Sequence, residues 1–529
     1  MTKLIWVHIV ALILCSLNLA AQDSKVWQDF KVAKENGHDH ILPDFSYAGY
    51  KYSEVALPKV DFKVFNVIDY GAVPNDDRSD KESIKKAIAA ASKNGEGVIF
   101  FPKGKYFINT EEDSLDIVKI ESSKIVFRGE GANENGSILL FKRDLPPANP
   151  EKLWTVPYAI KTTVEKKGKF LTNVISDARR ETFVLKVEDA SRIKPGDWVV
   201  LKMKNNDKEL VAEDIAPLSI EPKWTTIQEK GVQINEMHKV ASVHKDTLVF
   251  SEPIHYNVNS SHGWKLYHFP HLQRIGFENI MFLGNWDGKF VHHRSPQDDG
   301  GWSILNLNNL VNSWVRNCTF KNVNRALSIN SSAAVTALNI SVEGKIGHNG
   351  VSAGGGSTGI LLAYINDKAG MHHTTGVGGG STTGTVIWRS THPSHTSFES
   401  HASQPRCTLF DNVKGGFFAG RAGGAIKNLP NHGRFLVLWN YEETDEPEKN
   451  FDFISKTSEY WKIVPPIVVG FYGKGSTFNK DEVQLQESIG KPVQPESLFE
   501  EQLKLRLGKL PDWIVEQKRN QNSTNNSFK

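Results

Sequence analysis

Short apolar runs recur at a nearly constant spacing in the second half of the chain. The runs end at Phe320, Val342, Ile365, Trp388 and Phe410, so that neighbouring runs lie 22 or 23 residues apart. Three strands of about five residues, each followed by a turn, use roughly this length of chain. The repeat therefore predicts stacked coils, in which every coil adds one strand to each of several parallel sheets.

A second pattern lies between residues 66 and 108. The turn Tyr70-Gly71-Ala72 follows a short strand, and an Asp-rich loop comes after it. Apolar residues at helical spacing then predict a helix near residues 80–92. The segment 98–106 is typical of a strand, a Pro-Lys-Gly turn and a second strand.

The block 66–108 resembles the N-terminal signature of the pectate-lyase superfamily of parallel β-helix proteins. Arg128-Gly129-Glu130-Gly131 fits the next turn of the same family pattern. The resemblance implies an all-β fold, a right-handed parallel β-helix whose open end is covered by the helix near residues 80–92. It does not fix the reaction, because the superfamily includes lyases, hydrolases and phage tailspikes.

Changes in pattern along the chain predict six segments. Residues 151–270 interrupt the early coils with a β-rich insertion, which either forms one wall of a substrate cleft or is only a packing module. The predicted segments are a signal peptide (1–21), an N-terminal lead-in (22–60), the cap and first coils (61–150), the β-rich insertion (151–270), the main β-helix with its groove (271–495), and a C-terminal helix with a tail that is disordered from Arg519 (496–529).

The N-terminus and the overall charge limit where the protein acts and what it binds. Lys3, the apolar stretch 4–17 and Leu19-Ala20-Ala21 predict an export signal that is cleaved near Ala21, and hence a secreted or periplasmic protein. The formal net charge of +3 gives no broad basic field for nucleic acid. No later segment is long and apolar enough to span a membrane, and we expect a monomer.

Nine of the 18 histidines lie between residues 292 and 432. His401 and Arg406 occupy the richest polar stretch, and stacking brings residues of the preceding coil beside them. We predict that the catalytic residues are His401, Arg406, His373, His372 and Arg389. We predict that the substrate-binding residues are Glu399, Arg421 and His348.

These residue types suit β-elimination in a uronate polymer. The reaction removes a weakly acidic C5 proton, for which histidine is a suitable base. It also requires neutralisation of the adjacent carboxylate, which an arginine fork matches in geometry. We therefore predict a polysaccharide lyase whose partner is an acidic polysaccharide.

The residues from about 273 to 440, especially 399–406 and 408–413, are also similar to secreted lyase-like proteins that attack sulfated algal polymers, and the nearest family is the ulvan lyases of β-helix type. This resemblance implies an ulvan-like substrate. Two alternatives stay open: a glycoside hydrolase of the polygalacturonase type, for which Asp298-Asp299 is the candidate acid pair, and a non-catalytic carbohydrate-binding β-helix.

A bound metal is not predicted. The pectate-lyase resemblance makes calcium possible, but the carboxylates in this region form no evident cluster. The histidines have no zinc-type spacing motif, although His372, His373 and His401 are compatible with a zinc site in geometry. We expect a site without a cofactor.

Overall fold

The computed structural model describes residues 22–417 and 423–526, so the predicted signal peptide lies outside the described residues. The body of the molecule is a right-handed parallel β-helix, which confirms the predicted fold class. Its strands form two parallel sheets that enclose one long apolar core. No helix in the described part of the chain has the length and apolar character that crossing a membrane requires.

The larger sheet contains fifteen strands and wraps around two sides of the coils. In chain order, its strands are Val64–Asn66, Gly97–Phe101, Gly104–Ile108, Ile125–Gly131, Ser137–Phe141, Leu272–Gln273, Gly276–Gly284, Leu310–Lys321, Ala333–Glu343, Leu361–Asp367, Thr385–Trp388, Thr408–Asp411, Leu436–Trp439, Ile467–Val469 and Leu485–Glu487.

The smaller sheet, which we call the site sheet, has seven parallel strands. Its strands are Val118–Ile120, Ile160–Thr162, Ser303–Asn308, Arg325–Asn330, Asn349–Gly354, His373–Gly378 and Glu399–His401. Two short parallel pairs lie outside these sheets: Gln22–Asp23 with Val493–Gln494, and Lys414–Gly415 with Glu442–Glu443.

The larger sheet turns a corner where asparagines stack. Asn317 and Asn339 interrupt the long strands with left-handed φ values of 51° and 55°. The Nδ2 of Asn339 donates to the Oδ1 of Asn317, and the Nδ2 of Asn317 donates to the Oδ1 of Asn279, both at 3.2 Å. Asparagine tolerates this backbone conformation better than most residues, so the ladder bends successive coils at the same place.

The coil-to-coil spacing is less uniform than the apolar runs predict. Phe320 pairs with Val342 as expected. However, Ile365 lies opposite Ile340 and Trp388 lies opposite Ala363, which makes these two steps 25 residues each. The extra residues lie in the turns on both sides of the site-sheet strands, including the Gly-rich turns at 354–359 and 378–384, and they lengthen a coil without moving its apolar face.

The predicted cap is present as the helix Lys81–Asn94. Its buried face carries Ile84, Ala87, Ile88 and Ala91, and it packs against the first strands of the core. Gly95 ends the helix with a left-handed φ of 88°. Without this helix, the first coil would expose apolar core at the end of the stack.

The insertion is a six-stranded antiparallel sheet with its own core. In spatial order, its strands are Val184–Lys186, Thr247–Phe250, Val232–His244, Trp198–Asn205, Lys265–His268 and Phe170–Asn173. The helices Lys208–Ile215 and Thr225–Lys230 lie in the connection between its two longest strands. It packs onto the Gly-rich turns of the β-helix, where the Asn235 Nδ2 donates to the Gly356 carbonyl oxygen at 3.0 Å.

The two ends of the described chain pack together on the larger sheet. The helix Lys25–Asn36 and the helix Leu498–Leu507 cover Trp388 and Trp439. The prediction of a disordered tail from Arg519 is wrong as far as Asn526, because the helix Asp512–Asn526 continues through it. The Gln521 side chain donates to Asn339 at 3.2 Å, which ties this helix to the stacked asparagines.

Candidate functional site

The outer face of the site sheet is polar, whereas its inner face joins the core. Along each strand, apolar residues such as Leu305, Leu327 and Val351 point inward. The outward positions form three columns across the sheet, as their pairing shows: Ser303-Arg325-Asn349-His373, Asn306-Ser328-Ser352-Gly376-Glu399 and Asn308-Asn330-Gly354-Gly378-His401. Small and amide-bearing residues on a flat sheet face leave room for a ligand that forms several hydrogen bonds.

Glu399 holds two imidazoles at one edge of this face. Its Oε2 accepts a hydrogen bond from the Nδ1 of His373 at 2.8 Å, and its Oε1 accepts one from the Nδ1 of His401 at 2.9 Å. The Glu399 side chain is 3% exposed and that of His401 is 44% exposed. Each ring thus has a fixed orientation, in which the Nδ1 binds Glu399 and the Nε2 does not.

The electrostatics of this cluster follow from its burial and its charges. Burial opposes ionisation of Glu399, but the neighbouring His373 and His401 lower the pKa of its carboxyl to about 2. Burial also disfavours the His401 imidazolium, yet the bond to Glu399 raises the pKa of His401 above its usual range. Glu399 is therefore a fixed negative charge, and His401 is a strengthened base.

Two glycines leave the space that the Glu399 side chain needs. A Cβ at Gly423 would lie 2.2 Å from the His401 Nδ1 and 2.6 Å from the Glu399 Oε1. A Cβ at Gly376 would lie 2.0 Å from the Glu399 carbonyl oxygen. A larger residue at Gly423 would displace the carboxylate or the imidazole, and one at Gly376 would displace the backbone of Glu399.

A loop beside the sheet adds more imidazoles, and Asp299 orients two of them. The Nδ1 of His293 donates to the Asp299 Oδ2 at 2.8 Å, and the Nδ1 of His348 donates to the Asp299 carbonyl oxygen at 2.8 Å. We call His292, His293, His348, His372, His373 and His401 the imidazole cluster. Neighbouring rings in it lie 3.7–5.7 Å apart between centroids, with Phe290 packed against His348 and His372.

The cluster contains three overlapping sets of residues that could hold a metal ion. In each set, one ligand atom from every residue lies within 4.8 Å of the others. The sets are His292-His293-His348, His292-His372-His373 and His373-Glu399-His401. Stacking of neighbouring coils predicted the third set, whereas the sequence did not indicate the two sets that contain His292, because they join a loop to the coils.

A basic cavity adjoins the same sheet face. Its volume is about 910 Å³, and one face of the insertion forms its wall. Asn309, Ser331 and Gly355 also line it, and each directly follows a residue in the His401 column. The lysines that line the cavity are Lys167, Lys202, Lys204, Lys230 and Lys265. The insertion thus forms one wall of a cleft and is also packed onto the β-helix.

The structure brings together five of the predicted site residues. His401, His373, His372, Glu399 and His348 all belong to the cluster or bind it directly. The predicted substrate-binding residue Arg421 lies outside the described residues. What these side chains do in a reaction stays a prediction.

The two predicted catalytic arginines are directed elsewhere. Arg389 lies at the corner of the larger sheet, with a φ of 50°, and forms ion pairs with Glu496 and Glu500. The Arg406 guanidinium is buried against Asp214 of the insertion, at 2.9 Å. The prediction of one patch containing both arginines and His401 therefore needs correction, because neighbours in sequence point to different faces of a coil.

Several residues of the site were not predicted. Arg325 belongs to the His373 column and donates to the Trp154 carbonyl oxygen at 3.4 Å. Tyr158 hydrogen-bonds to Ser328 beside it, and burial raises the pKa of this tyrosine. The adjacent pair His292-His293 was the available signal for the loop, because it repeats the pair His372-His373 in another coil.

Comparisons with known proteins cover parts of the chain. Residues 64–143 match the family model "Rhamnogalacturonase A/epimerase, pectate lyase-like". Residues 370–517, which include His372, His373, Glu399 and His401, match a domain of unknown function, DUF4955. No curated protein matches the chain.

Three solved structures illustrate the similarity to known proteins. The tailspike protein gp49 from Pseudomonas phage LKA1 is 11% identical over 79% of this chain and 68% of that chain, with a TM-score of 0.43. The Streptococcus pneumoniae surface protein and adhesin PfbA is 12% identical over 80% and 89%, with a TM-score of 0.38. DFA-IIIase from Arthrobacter chlorophenolicus A6 is 11% identical over 84% and 89%, with a TM-score of 0.34.

Proposed function

We propose that this protein is a polysaccharide lyase that cleaves a uronate-containing polymer by β-elimination. One observation carries the proposal: buried Glu399 fixes the Nδ1 of His401, whose side chain is 44% exposed on a polar sheet face. A histidine held in this way has its Nε2 lone pair available as a base toward a ligand on the sheet. The match of residues 64–143 to a pectate lyase-like family model supports a role in polysaccharide metabolism.

The proposed step uses His401 twice. Its Nε2 takes the C5 proton of the uronate, and the electron pair of that C–H bond forms the C4=C5 double bond. The C4–O bond breaks at the same time, and His401 returns the proton to the departing oxygen. The products are an unsaturated uronate end and a new hydroxyl end, so atoms and charge balance.

The carboxylates of the site favour this reaction over hydrolysis. A glycoside hydrolase requires two carboxyl groups placed on either side of the bond that it cleaves. Asp298 is held by Arg294, and Asp299 is held by His293, so both serve to fold the loop. Both carboxylate oxygens of Glu399 accept bonds from imidazoles.

The substrate we propose is an anionic polymer, sulfated and ulvan-like. Five lysines line the cavity that begins next to the His401 column, and the buried Arg325 adds a positive charge in the His373 column of the same sheet. Lysine and arginine at such positions suit both sulfate and carboxylate groups. We also propose that the protein is exported, on the basis of the N-terminal segment 1–21, and that it acts as a monomer.

Absorbance at 235 nm during incubation with ulvan, alginate and polygalacturonate tests the proposal, because only elimination forms the conjugated product. We expect the wild type to produce this signal on at least one polymer. His401→Ala should reduce kcat/KM by about 10²- to 10⁴-fold, as is typical for removal of a general base. His244→Ala, an exposed histidine at the end of an insertion strand, is the matched control and should leave the rate unchanged.

Two results would contradict the proposal. Release of reducing ends without absorbance at 235 nm would show a hydrolase. Binding of polymer with no release of products from any of the three substrates would favour a carbohydrate-binding protein.

A further inference from the structure

We infer that the protein binds one transition-metal ion of the zinc class through His292, His372 and His373. One ring nitrogen from each of these residues lies within 4.8 Å of the other two. The ring centroids lie 4.2 Å apart for His292 and His372, and 4.6 Å apart for His372 and His373. Nitrogens around a tetrahedral zinc lie about 3.3 Å apart, so small ring movements would close the set around an ion.

The second, independent observation is the Nε2 of His373. The residue is 4% exposed, and this nitrogen has no hydrogen-bond partner among the described residues. The Nδ1 of the same ring donates to Glu399, so the Nε2 carries a lone pair that is directed into the cluster. Buried polar atoms are rarely left without a partner, and a metal ion would satisfy this one.

The arrangement around His373 is that of a metal ligand with an orienting carboxylate. Histidines that bind metals usually donate their other ring N–H to a carboxylate or a carbonyl oxygen, which fixes the tautomer and strengthens the ligand. Glu399 occupies this position at 2.8 Å. The carboxylate therefore orients His373 toward the ion and His401 toward the substrate.

The other two sets fit a metal less well. A metal at His373, Glu399 and His401 would compete with both imidazole bonds that Glu399 accepts. The set with His293 and His348 includes no nitrogen that is both buried and without a partner among the residues described. The set we favour leaves the bonds of Glu399 and Asp299 intact.

The donor atoms identify the class of metal. Three imidazoles suit zinc, copper or nickel, whereas calcium takes six to eight oxygen ligands. Three protein ligands leave a fourth position open, as in catalytic rather than structural zinc sites. His292 is exposed, so this position is accessible from solvent.

The metal would supply the cation that elimination requires beside His401. Arg389 and Arg406 are held by carboxylates elsewhere, and Arg325 lies three strands away from the strand of His401 in the sheet order. The His373 ring is 4.9 Å from the His401 ring. An ion at this position would neutralise the carboxylate of the uronate whose C5 proton His401 removes. This catalytic role rests on the proposed function, whereas metal binding does not.

Titration of the chelator-treated, dialysed protein with Zn²⁺ by calorimetry tests the inference, with Co²⁺ absorption in the visible range as a second readout. We expect one Zn²⁺ per chain and much weaker binding of Ca²⁺. His292→Ala should weaken Zn²⁺ binding by more than about 100-fold, and Glu399→Gln by about 10- to 100-fold. The His292 side chain is exposed, so this variant should fold even if His373→Ala does not. His244→Ala should bind Zn²⁺ as the wild type does.

The inference is overturned if no stoichiometric Zn²⁺ binding occurs, if His292→Ala binds Zn²⁺ with wild-type affinity, or if Ca²⁺ binds more tightly than Zn²⁺. The measurement uses no polysaccharide, so its result is separate from the lyase test. Zn²⁺ binding without any absorbance at 235 nm would contradict the proposed function alone. Elimination activity without Zn²⁺ binding would contradict the metal site alone.

Discussion

Two regions of this molecule combine histidine with glutamate in opposite ways. In the insertion, one imidazole lies between two carboxylates: the His238 Nε2 is 3.1 Å from the Glu236 Oε2, and its Nδ1 is 3.2 Å from the Glu252 Oε1. On the site sheet, one carboxylate lies between two imidazoles, as Glu399 binds His373 and His401. The residue types are the same, but the centre of each triad is different.

The two triads differ in whether their histidines keep a nitrogen that is not bound to a carboxylate. His238 is fully buried, both of its nitrogens face carboxylates, and its ring stacks on Phe250 with centroids 4.5 Å apart. In the site-sheet triad, each imidazole uses only one nitrogen to bind Glu399, and His401 is partly exposed. A nitrogen that is left over for a proton, a substrate or a metal is what makes histidine chemically useful.

Removing one histidine from each triad is the most direct test of this difference. His238→Ala should lower the free energy of unfolding by about 3–5 kcal/mol, because it leaves two buried carboxylates without their cation. His401→Ala should lower it by less than about 1 kcal/mol, because its side chain is partly exposed and Glu399 keeps His373. Urea unfolding at pH 6 measures both values. Equal losses would show that the two triads have the same structural role.

The pH dependence of stability provides a second test of the structural role of His238. Burial opposes the charge on His238, but the two glutamates raise its pKa to about 9. The unfolded chain has a histidine pKa of about 6.5, so the folded state binds the proton more tightly. The stabilisation is complete below pH 6.5 and is lost as the pH rises through about 9, by an amount on the order of 3 kcal/mol.

Unfolding curves for the wild type and His238→Ala between pH 6 and pH 9.5 check this expectation. The stability difference between the two proteins should shrink as the pH rises, since other groups titrate equally in both. A difference that stays constant over this range would show that His238 is neutral in the folded protein.

The smallest expected effect concerns the pH profile of activity. Glu399 raises the pKa of His401, and the base form of His401 is the active one in the proposed step. In the wild type, kcat/KM should therefore rise with pH through a pKa above that of an ordinary histidine. Glu399→Gln should move this rise in kcat/KM to lower pH and should also reduce the maximal rate, as measured by absorbance at 235 nm. If the rise in kcat/KM stays at the same pH in this variant, another group is the base.

The sequence determined the coil architecture because the information in it is local and repeated. Each coil buries the same kind of apolar strand, so a spacing of 22 or 23 residues was enough to predict parallel stacking. The block 66–108 likewise indicated a cap, which the helix Lys81–Asn94 confirms. Errors of two residues in the register came from turns, whose length the apolar pattern does not restrict.

The sequence predicted only the part of the site that is formed by neighbouring coils. His373, Glu399 and His401 lie on adjacent strands of one sheet, so their spacing in sequence already implied proximity. The position of the Arg389 side chain could not be predicted from the sequence. Arg389 itself has a left-handed φ at a corner of the coil, which turns its side chain to another face. The ion pair of Arg406 could not be predicted either, because its partner Asp214 lies in the insertion, 192 residues away in sequence.

The parallel β-helix, its capping helix and the enrichment of histidine in the main coils were therefore predictable from the sequence. Which histidines lie together depends on the folded chain, because the loop of His292 and His293 folds back over the start of the strand His373–Gly378. The path of such a loop depends on capping bonds such as those of Asp298 and Asp299 rather than on periodicity. Repeated burial of apolar side chains leaves a pattern along the chain, whereas a single long-range contact leaves none.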